Sequence, residues 1–214
     1  MASIIDELPL LLQGVVATLQ ISMLVVVAGS IVGVFGGLGL LFGPIWLRAP
    51  LRGYVDVVRG LPLLVTIFII YYVPPAFDID ISGFAAVVVA LSIFAGAHIS
   101  EIVRGGVASV AKGQSDAAKA LGLTFWPRIW SVVLPQALPS IIPPWTNTAI
   151  EMVKGSSLAY LVSVSELLFQ TYKVVGRTGA AMEIYIAAAL LYFAINFAVS
   201  RFGAWLERRV RYAL

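Results

Sequence analysis

Of the 214 residues, 60% are hydrophobic and only 12% charged, with a mean hydropathy of +0.98. Soluble domains run at about 45–50% apolar and about 25% charged, so a chain of this composition cannot hide its apolar surface in water, and lipid is its solvent. A formal charge of +3 is too small to mark a nucleic-acid binder, and with no cysteine and His98 as the single histidine there is neither a disulfide nor a cysteine or histidine cluster for a metal.

The opening MASIIDELP is acidic where a secretory leader is basic, which predicts that the first apolar run stays in the mature protein. A hydrocarbon core about 30 Å thick takes about 20 apolar residues per helix. Leu8 to Leu47 carries no charge; it holds the first span, about residues 12–42, and leaves room for a flanking segment. The second span, about 60–76, ends at Pro74-Pro75 and the polar turn Asp78-Ile79-Asp80. A third covers about 82–104, and a fourth, about 139–164, is interrupted by Glu151 and Lys154. The fifth, about 183–203, is apolar from Ile184 to Ser200 apart from Asn196. Unbroken apolar runs suit helices better than the alternation of a barrel. The expectation is an all-α integral membrane protein, one transmembrane domain over 1–214 with about five helices and no internal repeat.

Charge placement orients the spans. Arg48, Arg52 and Arg59 follow the first; Arg104, Lys112, Lys119 and Arg128 follow the third; Arg201, Arg208, Arg209 and Arg211 close the chain. The alternate segments hold Asp6, Glu7, Asp78, Asp80, Glu166 and Glu183, and only Lys173 and Arg177 as cations. Eleven basic residues against two, with Lys154 left aside as intramembrane, place the N-terminus outside and the C-terminus in the cytoplasm.

About residues 105–138 form the cytoplasmic segment between spans three and four. Within it Gly113-Gln-Ser-Asp-Ala-Ala-Lys-Ala-Leu121-Gly122 reads as a short helix. Ser115 is expected as its N-cap, Asp116 suits the positive end of the helix dipole, and Gly122 can close it in a left-handed turn. Ala117, Ala118 and Ala120 favour helix, and as exposed small side chains they would let another protein's surface come close. Phe125, Trp126, Ile129 and Trp130 suit the membrane interface, and Leu134-Pro135 begins the return into lipid. An ordinary interfacial loop helix would share these features.

The spacing adds a second kind of signal. Asp116-Ala-Ala, three residues, Gly122, nine residues, Val132, one residue, Leu134-Pro135 resembles the "EAA" loop of ATP-binding-cassette importer permeases, with Asp116 for Glu and Val132 for Ile. Further segments resemble the polar-amino-acid branch of that family: Arg59-Gly-Leu-Pro-Leu-Leu64, Ser100-Glu-Ile-Val-Arg-Gly-Gly106, Leu134-Pro-Gln-Ala-Leu138, Ile142-Pro-Pro144 with Asn147, Lys154-Gly-Ser-Ser-Leu158 and Leu206-Glu-Arg-Arg209. His98 stands where the family more often has Tyr, and Gly155 replaces a common Asp. The resemblance implies a non-catalytic permease subunit of the bacterial cytoplasmic (inner) membrane. Its helix at Ser115, Asp116, Ala117, Ala118, Leu121 and Gly122 would dock on a separate ATPase subunit. The further partners implied are a second permease copy or homologue and an extracytoplasmic solute-binding protein. No cofactor is expected in this chain, which has no Gly-x-x-x-x-Gly-Lys-Ser/Thr loop; ATP and Mg would be held by the partner.

Charged residues within lipid are the remaining signal. Glu151 and Lys154 together would cost roughly 5–7 kcal/mol if each faced hydrocarbon alone. At about 100° per residue, Asn147, Glu151 and Lys154 share an arc of about 60° on one helix face. Together with Gly155, Ser156 and Ser157 they are the candidate substrate path, Gly155 leaving room beside the charges for a solute side chain. The alternative is that Glu151 and Lys154 merely pair with each other. Glu101 and Arg104 read as an interfacial ion pair, His98 as a satisfied bundle histidine, and Gly29, Gly33, Gly36, Gly37 and Gly39 as sites of close helix packing or dimerisation, or equally of loose packing. A self-sufficient carrier or channel is the rival function, disfavoured by five spans without a repeat. A membrane enzyme lacks a catalytic constellation.

Overall fold

The computed structural model describes residues 4–211; the first three and last three, including the start of the MASIIDELP segment, lie outside the described residues. Among these the regular elements are all helical. Helix α1 (Ile4–Phe42) has 39 residues, about 58 Å at 1.5 Å per residue, and so outruns the hydrocarbon core. It packs along α4 (Gly83–Ala108), the most buried long helix. Their contact is made of small residues. A Cβ on Gly29 would lie 2.6 Å from that of Ala95, one on Gly33 would collide with Ile99, one on Gly36 with the Ser100 hydroxyl, and one on Gly37 would sit 2.6 Å from the Ser100 carbonyl oxygen. Without such glycines the two backbones could not approach, and close approach is what draws helices together in lipid. The glycine stripe is therefore spent inside the chain.

Between α1 and α4 the chain forms α2 (Ile45–Gly60) and α3 (Leu63–Tyr72). Helix α2 is two-faced: Val55 and Val58 are buried while Arg48, Asp56 and Arg59 are exposed. Two polar ties fix it to α4. The Tyr54 hydroxyl donates to the Ile93 carbonyl at 2.6 Å, and Arg52 donates to Glu101 at 2.8 Å. At Leu61-Pro62 both residues are extended, because proline disfavours the helical region for its predecessor, and the axis turns through 109°. Helix α3 has 10 residues, about 15 Å, or half the hydrocarbon core. A 3-10 turn at Pro74–Phe77 extends it. The second apolar run thus starts later than the sequence suggests and crosses as a broken element.

After α4 come α5 (Lys112–Ala120), α6 (Phe125–Arg128), a wide π turn at Ile129–Val133, and α7 (Leu134–Gly155) continuing as a 3-10 stretch, Ser156–Val162. Helix α7 runs through Pro139, Pro143 and Pro144. Its threonines bond back to the preceding turn: Thr146 donates to the Ile142 carbonyl at 2.9 Å and Thr148 to that of Pro144 at 3.2 Å. The last two elements are α8 (Leu167–Thr178) and α9 (Ala181–Arg211). Among the described residues three helices are long and apolar enough to span a membrane, or up to five if each of two bent pairs counts as one span.

Helix α8 was not legible as a helix. Its buried face, Leu167, Gln170, Thr171 and Val174, packs with Leu11 of α1 and Ile184 of α9. Glu166, expected as a loop charge, is fully buried. Its carboxylate caps α8 by accepting from the backbone N–H groups of Leu168 (2.9 Å) and Phe169 (2.8 Å), and it also accepts from the Tyr192 hydroxyl at 2.6 Å. Glu7 adds an ion pair to Arg177 at 3.5 Å.

Gly33→Val should lower the stability of the purified chain by about 1–3 kcal/mol, the usual cost of overpacking, read as a lower melting temperature in detergent. Gly53→Ala, with open space around the added methyl, is the control. An unchanged melting temperature for Gly33→Val would contradict the α1–α4 contact.

Candidate functional site

Helix α5 starts earlier than its sequence suggests. Its N-cap position is Ala111, which has no side-chain acceptor, so Ser115 lies inside the helix and caps nothing. The C-terminus does follow expectation. Gly122 takes φ +82°, its N–H bonds to the Lys119 carbonyl at 3.0 Å, and the Leu123 N–H bonds to that of Ala118 at 3.1 Å, the paired closure that glycine makes possible.

The alanines divide. Ala117 and Ala120 are exposed, but Ala118 is 4% exposed, so the expectation that all three face outward is corrected. Ala118 is the foot by which α5 rests on its own chain, beside α6 and the π turn. Leu121 is 83% exposed, a large apolar side chain with nothing over it. The face available to another protein is thus Gly113, Asp116, Ala117, Ala120 and Leu121. Gln136 at the base of α7 donates to Gln114 at 3.3 Å and to the Val132 carbonyl at 3.0 Å, tying α5 to the start of α7.

Trp126 and Trp130 are exposed, as expected of interfacial residues, whereas Ile129 is buried. Phe125 packs edge-on against Phe42 at 5.2 Å. Glu101 is more than half of an i,i+3 pair. It accepts from Arg104 through Nε (3.0 Å) and Nη2 (2.7 Å) and from Arg52 at 2.8 Å, with Asp56 3.8 Å from Arg52. This network fastens α2 to the C-terminal half of α4. His98 Nδ1 lies 3.0 Å from the Phe94 carbonyl oxygen, and its ring lies near that of Phe94, which fits a satisfied bundle histidine.

On α7 three polar residues fall on one exposed face. Asn147, Glu151 and Lys154 are all exposed, while Thr148, Ala149, Met152 and Val153 are buried. Among the described residues the side chains of Glu151 and Lys154 have no hydrogen-bond or ion-pair partner, and the two do not bridge each other. Ser140, seven residues before Asn147, is exposed on the same side; its spacing alone could have found it. Three of the expected path residues behave differently. Ser156 is fully buried and donates to the Val153 carbonyl at 2.8 Å, and Ser157 donates to that of Lys154 at 2.7 Å. Gly155 leaves no room for a solute: an added Cβ would stand 2.9 Å from Leu63 Cδ2 and 3.5 Å from Leu91 Cδ2. It is where α7 presses on α3 and α4.

The model of the family described as binding-protein-dependent transport system inner membrane component matches residues 27–212. The probable amino-acid ABC transporter permease protein YckA of Bacillus subtilis (strain 168) is 36% identical over 205 residues, 96% of this chain and 91% of the relative. The glutamine transport system permease protein GlnP of Escherichia coli (strain K12) is 37% identical over 212 residues, 98% of this chain and 97% of the relative. A crystal structure of an amino acid ABC transporter with histidines is 32% identical and covers 96% of each chain with a TM-score of 0.88. The inward-facing methionine ABC transporter MetNI shares the fold, with a TM-score of 0.80 at 22% identity over 94% of this chain and 96% of that one.

Because the α7 face has no partner within the chain, Glu151→Gln and Lys154→Met should leave the isolated subunit's stability within about 0.5 kcal/mol of wild type. Thermal unfolding of the detergent-solubilised subunit measures this. A drop of several degrees for either variant would show a structural pairing instead.

Proposed function

The chain belongs to the family of binding-protein-dependent transport system inner membrane components, and we propose that it carries a polar amino acid or related solute across the cytoplasmic membrane, driven by ATP hydrolysis in a separate ATP-binding-cassette subunit. The observation that carries this reading is the line of unpartnered polar side chains on α7, Asn147, Glu151 and Lys154, in an element whose base holds the exposed helix α5. The N-terminus lies outside and the C-terminus in the cytoplasm, the order required by the basic-residue count.

In lipid the polar face would cost several kcal/mol. A water-filled path bounded by a second copy, or by a homologous subunit, removes that cost. A free amino acid brings an ammonium and a carboxylate; Glu151 receives the first and Lys154 the second, with Asn147 and Ser140 as neutral hydrogen-bonding partners. Each charge of the solute then meets an opposite charge where water is scarce. An extracytoplasmic binding protein delivers the solute, and ATP with its Mg stays on the ATPase.

Movement reaches this face through covalent continuity. Helix α5 stands on the π turn through Ala118, the π turn leads without a break into α7, and Gln136 bonds to both sides of the junction. A push on α5 from a closing ATPase pair is thereby a push on the helix that bears the charges. The Arg52–Glu101–Arg104 network holds α2 and α4 as the frame against which α7 moves. A self-sufficient carrier would have no use for an exposed helix mounted in this way.

Ala117→Arg should leave the chain folded and inserted while the ATPase dissociates on purification or ceases to respond to loaded binding protein. Ala118→Arg should instead damage the seat of α5 and lower stability. In the assembled complex Glu151→Gln and Lys154→Met should keep ATP hydrolysis but cut solute uptake at least about tenfold, the loss of one charge-assisted contact. ATPase activity and uptake in proteoliposomes, measured with binding protein loaded from a panel of amino acids, test both. Wild-type uptake by the assembled Glu151 and Lys154 variants would remove them from the path; a fully coupled Ala117→Arg complex would remove α5 as the docking element.

A further inference from the structure

A groove of about 310 Å³ lies between α1, α7 and α9, lined among others by Met23, Trp145, Ala149, Val199 and Phe202. It is apolar throughout apart from Ser22, whose hydroxyl is already committed to the Thr18 carbonyl at 2.7 Å, so it has nothing to offer a polar solute. Its position on α7 decides what it meets. Trp145, Ala149 and Val153 lie about 160–240° around the helix from Asn147, on the side away from the polar face. The groove therefore opens away from the path and from the subunit that would border it.

Helix α9 gives the groove a direction and a charged end. Ile195, Ala198, Val199 and Phe202 form its wall, about 10 Å of helix length. Seven residues beyond Phe202 the same face returns at Arg209, about 10 Å further along. Arg209 is exposed, and its guanidinium is held over the Trp205 ring at 5.4 Å. An apolar slot leading to a cation along about 20 Å of helix compares with a leaflet whose hydrocarbon is about 15 Å deep with a headgroup beyond it.

We propose that this groove binds one anionic glycerophospholipid in the leaflet next to the α9 C-terminus, with an acyl chain between α1, α7 and α9 and its phosphate at Arg209. Charge complementarity selects an anionic headgroup, since basic side chains between helices at the membrane surface attract such lipids. A chain seated against both α1 and α9 on one side and α7 on the other would brace the helix that carries the charged face.

The test uses the assembled complex equilibrated in vesicles of equal phosphatidylglycerol and phosphatidylcholine. After re-extraction, retained phospholipid is counted by mass spectrometry. Wild type should retain phosphatidylglycerol about five-fold over phosphatidylcholine, the preference one surface arginine supplies. Arg209→Gln should keep a lipid but lose the preference. Ala198→Trp, which fills the groove from an exposed position, should release it, with the melting temperature confirming a folded subunit. Unchanged retention in Ala198→Trp, or unchanged preference in Arg209→Gln, overturns the proposal. So does a disulfide between two copies through Ala198→Cys in a chain with no other cysteine, which would place protein in the groove.

Discussion

Hydrocarbon accepts no hydrogen bonds, so every polar group carried into it must find its partner within protein or in enclosed water. Most of this chain obeys that constraint internally. Ser100 turns back to the Gly96 carbonyl, Trp145 donates across to Ser30 at 2.8 Å, and Glu166 collects two backbone donors and a tyrosine hydroxyl. Asn147, Glu151 and Lys154 stand out because they form one exposed line whose side chains meet no partner among the described residues. Their exposure leaves a gap that a second subunit would close under the proposed function.

The rest of the architecture fixes this face relative to α5 and the other helices. The glycines of α1 allow α4 to sit against it closely enough to make a stiff pair. Helix α2 is bound to that pair by Tyr54 and by the Glu101 cluster. Against this frame α7 is held by close packing, Gly155 on Leu63 and Leu91 and Gly203 of α9 against Thr146. Close-packed interfaces of this kind shift between discrete arrangements more readily than they deform. Under the proposed coupling, a displacement of α5 would therefore reach the charged face with little lost on the way.

Much of this was legible in the residues themselves. Composition announced lipid, Gly122 announced the turn that closes α5, and the i,i+4,i+7 spacing of Asn147, Glu151 and Lys154 announced a shared face. What escaped depended on the side from which an element is covered. Nothing local tells that Ala118 faces inward while Ala117 faces out, or that Gly155 is a contact and not a space. Ser115 looked like a cap because its side chain suits one, yet the helix begins at Lys112, where no side chain caps it. Helix α8 is obscured in the sequence because Lys173, Gly176 and Arg177 interrupt an apolar stripe that residues of α1 and α9 complete. Glu166 reads as one more loop charge unless α8 is recognised, since two of its donors belong to the first turn of that helix and the third, Tyr192, comes from α9.

An α7 face that lines water between subunits, as proposed, would not touch lipid. The chain has no cysteine, so Asn147→Cys in the membrane-embedded complex gives a single thiol there, with Leu190→Cys on the exposed apolar side of α9 as reference. A charged, water-soluble thiol reagent should modify the thiol at 147 at least about tenfold faster than that at 190, because the reactive thiolate needs water, and solute delivered by the binding protein should slow the reaction. Equal, slow labelling at both positions, indifferent to solute, would place the face in hydrocarbon and contradict the account.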